Sequence, residues 1–483
     1  MQKIRMHSVI ERLEKMEHEY RRQILHAAFG MLVFAFPFLD VSTLLLLSFL
    51  IIIVLAYFPE YPVIAKFLYR KPEPGSREEL TDMNDGVRSA RNLAVSVFTM
   101  LLISQMLQFT PLDFPLYVIG GAIAISTFGS SAATFIRHRT RIHLNGAARR
   151  INGGGDQHLL PSSIVMLGIG IVSAFVAGFW IAGWGTLGVS REMVNMIFFL
   201  AVIGSITGAL FESIPSKVDD NISVPLGAGM AMWLFHAFGY SVPPSEMFMA
   251  LMFSLVLGYL AYRARIADLS ALFSASLLGV LIIVFSDIFW FILLLTFFIL
   301  GGAFTKYKYT YKESIGIAQS KDGVRSYENV FSNSMAALVL AILYGIYPQY
   351  SELIIFAYLG TVATATGDTL ASEIGTTARS QPIMITTLKP VRAGVDGAVS
   401  VLGEVAALLG AMVIGVLPVL FGRVDGALTV IFITTAGGFL GTNVDSLLGA
   451  TLQHRGMLSN SGVNLVATFA GAFISGILYL LLV

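Results

Sequence analysis

Three short blocks in the second half of the chain carry side chains that could do phosphate chemistry. The first is Gly367-Asp368-Thr369-Leu370-Ala371-Ser372-Glu373. The second runs from Lys389 through Arg392, Gly394, Asp396 and Gly397 to Ser400 and Gly403, and the third is Asp445-Ser446-Leu447-Leu448-Gly449-Ala450-Thr451-Leu452-Gln453. Asp368, Asp396 and Asp445 offer oxygen ligands that suit a hard divalent cation such as Mg²⁺, which takes one or two carboxylates together with substrate phosphates. Lys389, Arg392, Arg379 and Arg325 supply cations for phosphate oxygens, and Arg325 and Asn329 open a further helix on the same side. Gly394, Gly397 and Gly403 allow close approach of backbone and substrate. Acids that need a metal, basic loops and glycine-rich turns together suggest phosphoryl transfer, where catalysis is largely positioning and charge neutralisation.

The elements that hold these blocks belong in a membrane. The chain has 483 residues, of which 55% are hydrophobic and only 13% charged, and its mean hydropathy is +0.76; soluble domains carry about 25% charge. Apolar runs long enough to cross a bilayer recur from Ile24 to Val483, which excludes a water-soluble enzyme. With no cysteine and eight histidines that lack ligand spacing, the sequence gives little support to redox or zinc chemistry. Hydropathy predicts an all-α polytopic membrane protein of about fifteen transmembrane helices. An amphipathic interfacial helix is expected within the first 23 residues, and no removable signal is read. With the N-terminus cytoplasmic, all of the 31 lysines and arginines except Arg191 and Arg423 fall inside. This predicts a multi-pass protein of the cell membrane with its C-terminus outside. In that frame the three blocks share the cytoplasmic face. The thirteenth span, opening near Ala398, would carry Asp396, Ser400 and Gly403 on one helical face, with Glu404 one position further round.

An internal repeat divides the chain. Asp85-Gly86-Val87-Arg88-Ser89-Ala90-Arg91-Asn92 matches Asp322-Gly323-Val324-Arg325-Ser326-Tyr327-Glu328-Asn329. In nearly the same register, Ile125 to Ala133 aligns with Ala363 to Ala371. The matched spans are separated by an even number of crossings, so the halves are parallel duplicates. Ser130, Phe135 and Gly208 stand where the second half has Asp368, Glu373 and Asp445. A scaffold needs its helices twice but a charged site only once, which places the chemistry in the second half. A carboxylate inside a span costs about 2.5–3.5 kcal/mol, so Asp445 requires a cation, a proton or water. Plainer roles exist beside these: glycines pack membrane helices, Glu404 could be neutral and hydrogen-bonded to a neighbouring helix, and Tyr307, Tyr309 and Tyr311 with Lys306, Lys308 and Lys312 read as an interfacial belt.

Residues 263–483 resemble the phytyl-phosphate kinase family, the membrane kinases of vitamin E biosynthesis. The match rests on the blocks Gly367 to Gly375, Lys389 to Gly403 and Asp445 to Gln453, continued by Asn460 and Asn464. Residues 1–262 are more weakly similar to the dolichol, phytol and polyprenol kinases, through Glu19 to His26 and Glu212 to Leu226. That family's acid is Ser130 here, so the first half reads as a degenerate copy.

Together these readings lead to an integral membrane kinase that transfers phosphate from a nucleoside triphosphate, with CTP favoured, to an isoprenyl monophosphate such as phytyl or geranylgeranyl phosphate. Asp368, Asp445 and Asp396 would hold Mg²⁺, and Lys389 would act with them. The expected nucleotide- and phosphate-binding residues are Arg325, Asn329, Gly367, Glu373, Arg392, Gly394, Gly397, Ser400, Ser446, Gln453, Asn460 and Asn464. Expected partners are the nucleotide, the lipid phosphate and the bilayer, with no nucleic acid; homo-oligomerisation stays open. Two other classes compete: a cytidylyltransferase or isoprenoid alcohol kinase, and a secondary transporter of an anionic lipid or metabolite.

Overall fold

The structure is a computed structural model that describes residues 18–57, 85–144, 159–184, 188–317 and 323–483. The interfacial helix expected at the start of the chain falls mostly on residues 1–17, outside the described residues. Among the described residues eleven helices are long and apolar enough to cross a membrane, and three more apolar helices are shorter. The chain forms two compact units, Met1–Met247 and Phe248–Val483.

In the first unit α1 (His18–Gly30) continues as a 3₁₀ turn through Phe38, where Pro37 removes a helical donor, and α2 is Val41–Tyr57. Then come α3 (Asp85–Leu107), α4 (Leu116–Ala124) and α5 (Ser130–Leu144), the last two joined by a π turn at Ile125–Gly129. Three further helices, α6 (Leu160–Gly183), α7 (Arg191–Ser213) and α8 (Asp220–Ala237), complete it. α9 (Pro244–Arg263) carries the boundary between the units. The second unit contains α10 (Leu269–Phe285), α11 (Ile288–Lys306), the short α12 (Tyr309–Ser314), α13 (Tyr327–Ile346) and α14 (Ser351–Gly375). A two-stranded hairpin follows, β1 (Ile383–Met384) against β2 (Ala398–Val399), before α15 (Val401–Leu420), α16 (Ala427–Leu448) and α17 (Asn460–Leu482).

α14 is the axis of the second unit. It packs against α11, α13, α15, α16 and α17, and 83% of its apolar window is buried. Small residues make this possible, as membrane helices without a hydrophobic drive between them associate through close backbone approach. A Cβ on Gly438 of α16 would meet the backbone of Ala363 at 2.9 Å, and one on Gly410 of α15 would meet the Cα of Gly367 at 3.4 Å. Helix ends are set by acids: Asp268 caps α10 by accepting from the Ala271 amide at 2.9 Å, and Asp287 caps α11 from the Phe289 amide at 2.7 Å. The first unit repeats the neighbour order. α4 packs on α6, α6 on α7, α7 on α8 and α8 on α3, just as α14 packs on α15, α15 on α16, α16 on α17 and α17 on α13.

One expected element differs. The thirteenth helix begins at Val401, not 398, and Asp396 lies in the hairpin turn rather than on a helical face shared with Ser400 and Gly403. Gly394 and Gly397 have φ of +84° and +77°, backbone that breaks any helix before Ser400. Ser400 is the N-cap, its hydroxyl accepting from the Gly403 amide at 3.2 Å.

Valine at Gly438 is expected to destabilise the unit by about 1–3 kcal/mol through overpacking. Alanine at Gly168 of α6, where a Cβ meets nothing within 4 Å, should be neutral or stabilising. Thermal unfolding of the detergent-solubilised protein reads both, and equal midpoints for the two variants would contradict the packing described.

Candidate functional site

The second unit holds a cavity of about 490 Å³ at one of its ends. There the C-terminal ends of α14 and α16 meet the N-terminal ends of α13, α15 and α17, and the hairpin covers them. Twelve of the sixteen residues singled out from sequence line it: Asp368, Asp396 and Asp445, Arg325 and Asn329, Gly394, Gly397 and Ser400, and Ser446, Gln453, Asn460 and Asn464.

Asp368 and Asp445 project from adjacent helices and touch through their carboxyl groups, and Asp396 acts electrostatically on Asp445 from the hairpin. One oxygen of Asp445, Oδ2, is buried with no hydrogen-bond partner. Two contacting carboxylates at the ends of membrane helices repel unless a cation or a shared proton joins them, so this pair is the part of the donor set that fits Mg²⁺. Among the described residues no three acids or histidines gather into a metal cage. Asp396 therefore stands apart from the pair instead of completing a three-carboxylate site.

Close packing places the pair. Gly367 does not reach the cavity: a Cβ there would meet Thr442 Oγ1 at 2.8 Å and the Ala407 carbonyl at 3.1 Å, so its absence of side chain seats α14 against α15 and α16 and directs the next residue, Asp368, into the opening. Ser400 Oγ donates to the Gly375 carbonyl at 3.3 Å, joining the start of α15 to the end of α14. Gly397 lies so near Gly449 and Ala450 that the hairpin turn rests on the end of α16. Beyond Leu448 the chain makes a π turn, Gly449–Gln453, which carries Gln453 to the cavity wall.

An amide chain forms the opposite wall. Asn333 Nδ2 donates to the Asn329 carbonyl at 3.0 Å, and Asn464 Nδ2 donates to Asn333 Oδ1 at 3.4 Å. Asn333 was not singled out from sequence; its place one helical turn after Asn329 is the signal that would have found it. Glu404 also lines the cavity, and its Oε2 accepts from Asn443 Nδ2 of the neighbouring α16 at 3.2 Å.

A family model described as integral membrane protein DUF92 matches residues 252–472. Over 240 residues the chain is 33% identical to an uncharacterized membrane protein of Methanocaldococcus jannaschii, a stretch that is 48% of this chain and 94% of that protein. The chain belongs to the DUF92 family. A further uncharacterized membrane protein, from Synechocystis, is 35% identical over 187 residues, 38% of this chain and 72% of that protein. Protein VTE6, chloroplastic, of Arabidopsis thaliana is 30% identical over 195 residues, 38% of this chain and 57% of that protein. No solved structure matches the chain. The DUF92 region contains every residue that lines the cavity.

The cations of this DUF92 unit are not distributed as the sequence suggested. Lys389, Arg392 and Arg379 are exposed and do not line the cavity. Only Arg325 among the four lines it, and Arg325 is buried. Its backbone pairs with Ile266 and Asp268, its guanidinium lies over the Phe297 ring at 5.3 Å, and the missing side chain of Gly301 makes room for it. Burial lowers its pKa to about 10, with Glu373 opposing the shift, so it remains a cation through neutral pH.

Glu373 is likewise not a wall residue. It is buried behind the cavity and takes an ion pair from Lys312 at 2.5 Å. Lys312 is itself buried and donates to the carbonyls of Phe304 and Thr305, at 3.2 and 2.8 Å. The belt reading of Lys312 is thus corrected: the short α12 turns it inward to tie α11 to α14.

Removing one partner of a buried ion pair leaves the other uncompensated, at a cost of about 3–5 kcal/mol. Lys312→Met should therefore lower the unfolding temperature strongly, while Lys312→Met combined with Glu373→Leu should recover much of the loss. A double variant no more stable than the single one would refute the pairing.

Proposed function

We propose that the protein is an integral membrane kinase that transfers a phosphate from a nucleoside triphosphate, CTP by preference, to an isoprenyl monophosphate. The observation that carries this reading is the contacting pair Asp368 and Asp445, one oxygen of which is buried without a hydrogen-bond partner, in a cavity of about 490 Å³ that a buried arginine also lines. The resemblance of the three blocks to phytyl-phosphate kinases supports the same reading.

Asp368 and Asp445 would hold Mg²⁺, which supplies neutralisation of the nucleotide's phosphate charge. Arg325 faces the phosphates as a fixed cation whose guanidinium forks onto two oxygens. Asn329, Asn333 and Asn464 orient the phosphates from one wall, and the backbone at Gly394 and Gly397 lets them approach the hairpin. An oxygen of the lipid monophosphate, already anionic at neutral pH, attacks the terminal phosphorus. The bond to the bridging oxygen breaks, the nucleoside diphosphate leaves and the lipid diphosphate forms, so no strong base is required. Repetition of the helix order and of the Arg88 and Arg325 blocks supports a parallel duplication in which only the second copy kept its acids. The charge asymmetry supports a site on the cytoplasmic side.

Purified protein incubated with labelled CTP or ATP, Mg²⁺ and geranylgeranyl phosphate tests this reading. Lipid diphosphate and nucleoside diphosphate are expected; pyrophosphate with a nucleotidyl lipid would instead indicate a cytidylyltransferase, and no turnover with any prenyl acceptor would sink the reading. Asp368→Asn and Asp445→Asn should each lose about 10²–10³-fold in kcat, since each removes charge that acts on the transferring phosphate. Arg325→Gln should cost a similar factor, whereas Lys389→Gln, at an exposed residue that does not line the cavity, and Ser130→Ala, which removes no charge, should stay within about threefold of wild type.

A further inference from the structure

The first unit has two cavities of its own, and their chemistry differs. A polar one of about 590 Å³ is lined by Arg22 of α1, by Arg88 and Asn92 of α3, and by Lys217 in the turn before α8. An apolar one of about 300 Å³ is walled by the same α1 with its 3₁₀ turn, the same α3, and α2, through residues such as Phe29, Leu44, Ile51, Leu93 and Val97.

The two share helices in the order a lipid would need. On α1, Arg22 precedes Phe29 by two turns, and on α3, Arg88 and Asn92 precede Val97, so on each helix charge gives way to hydrocarbon along one direction. Leu32 and Leu47 line the apolar cavity and are 52% and 44% exposed, which opens it sideways toward where acyl chains would lie. Two acids, Asp219 and Asp220, also line the polar cavity. Asp219 is engaged, its Oδ1 accepting from the Asn221 amide at 2.9 Å and from Asn221 Nδ2 at 2.7 Å. Arg88 and Asn92 occupy the positions that the repeat matches to Arg325 and Asn329, but Ser130 and Gly208 replace the acids that would hold a metal.

We propose that the first unit binds a lipid phosphate monoester without a metal, its phosphate against Arg22, Arg88 and Lys217 and its hydrocarbon chain between α1, α2 and α3. The cations select the phosphate, and the apolar cavity beside them selects a lipid over free phosphate. This site stands whether or not the second unit is a kinase.

The test uses full-length protein in phosphatidylcholine nanodiscs and geranylgeranyl phosphate carrying a diazirine on its chain, with labelled peptides mapped after irradiation. Labelling of segments within residues 29–101 is expected, unchanged by EDTA. Geranylgeranyl phosphate should compete about tenfold better than geranylgeraniol or inorganic phosphate, and Arg88→Gln with Lys217→Gln should reduce the label about tenfold, the worth of charge-assisted phosphate contacts. Both side chains are exposed, and an unchanged unfolding temperature of the double variant checks that packing is intact. Label confined to the second unit, label insensitive to the double variant, or equal competition by the alcohol would each overturn the proposal. Loss of lipid diphosphate formation with label retained in residues 29–101 would count against the kinase reading alone.

Discussion

Two carboxylates touch at the ends of two membrane helices, and much of the second unit's architecture serves to hold them there. Asp368 and Asp445 come from α14 and α16, whose axes approach through glycine, alanine and threonine at Gly367, Gly438, Ala363 and Thr442. Larger residues at those positions would separate the helices and relieve the repulsion between the acids. The unit therefore uses close packing, made possible by the absence of side chains, to support an electrostatically unfavourable arrangement. A cation or a shared proton between the two carboxyl groups removes that cost.

The positive charge around that pair is divided by depth. Arg325 is buried and held by backbone pairing and the Phe297 ring, so it reaches the cavity in one orientation. Lys312 neutralises Glu373 behind the wall, which keeps a third acid on α14 from adding to the repulsion in front of it. The lysine and arginines of the hairpin and the turn before it stay in solvent, where their effect on a phosphate inside is screened. Position rather than number of cations decides what the cavity can bind.

The two units share an order of helix neighbours but not the acid pair. The first keeps the cyclic order of neighbours, an arginine and an asparagine at the matching place on α3, and a polar cavity beneath them. Ser130 and Gly208 stand where the second unit has Asp368 and Asp445, and the cations of the polar cavity lie beside an apolar one. The two units thus share a packing order but differ in the charges that line their cavities.

Much was legible in the sequence by itself. Hydropathy located the helices because a bilayer demands long apolar runs, and the blocks around Asp368, Asp396 and Asp445 stood out because charge is costly there. Twelve of the sixteen candidate residues do meet at one cavity. The tertiary structure decided the rest. It left Lys389 and Arg392 outside the cavity wall, made Gly367 a packing residue, paired Glu373 with Lys312, brought Asn333 into the wall and moved Asp396 from a helix to a hairpin. Residue type and spacing record which groups are expensive to bury, which is a local property. Which way a loop cation points and what lies behind a buried acid depend on contacts between distant segments, and those exist only once the helices have packed.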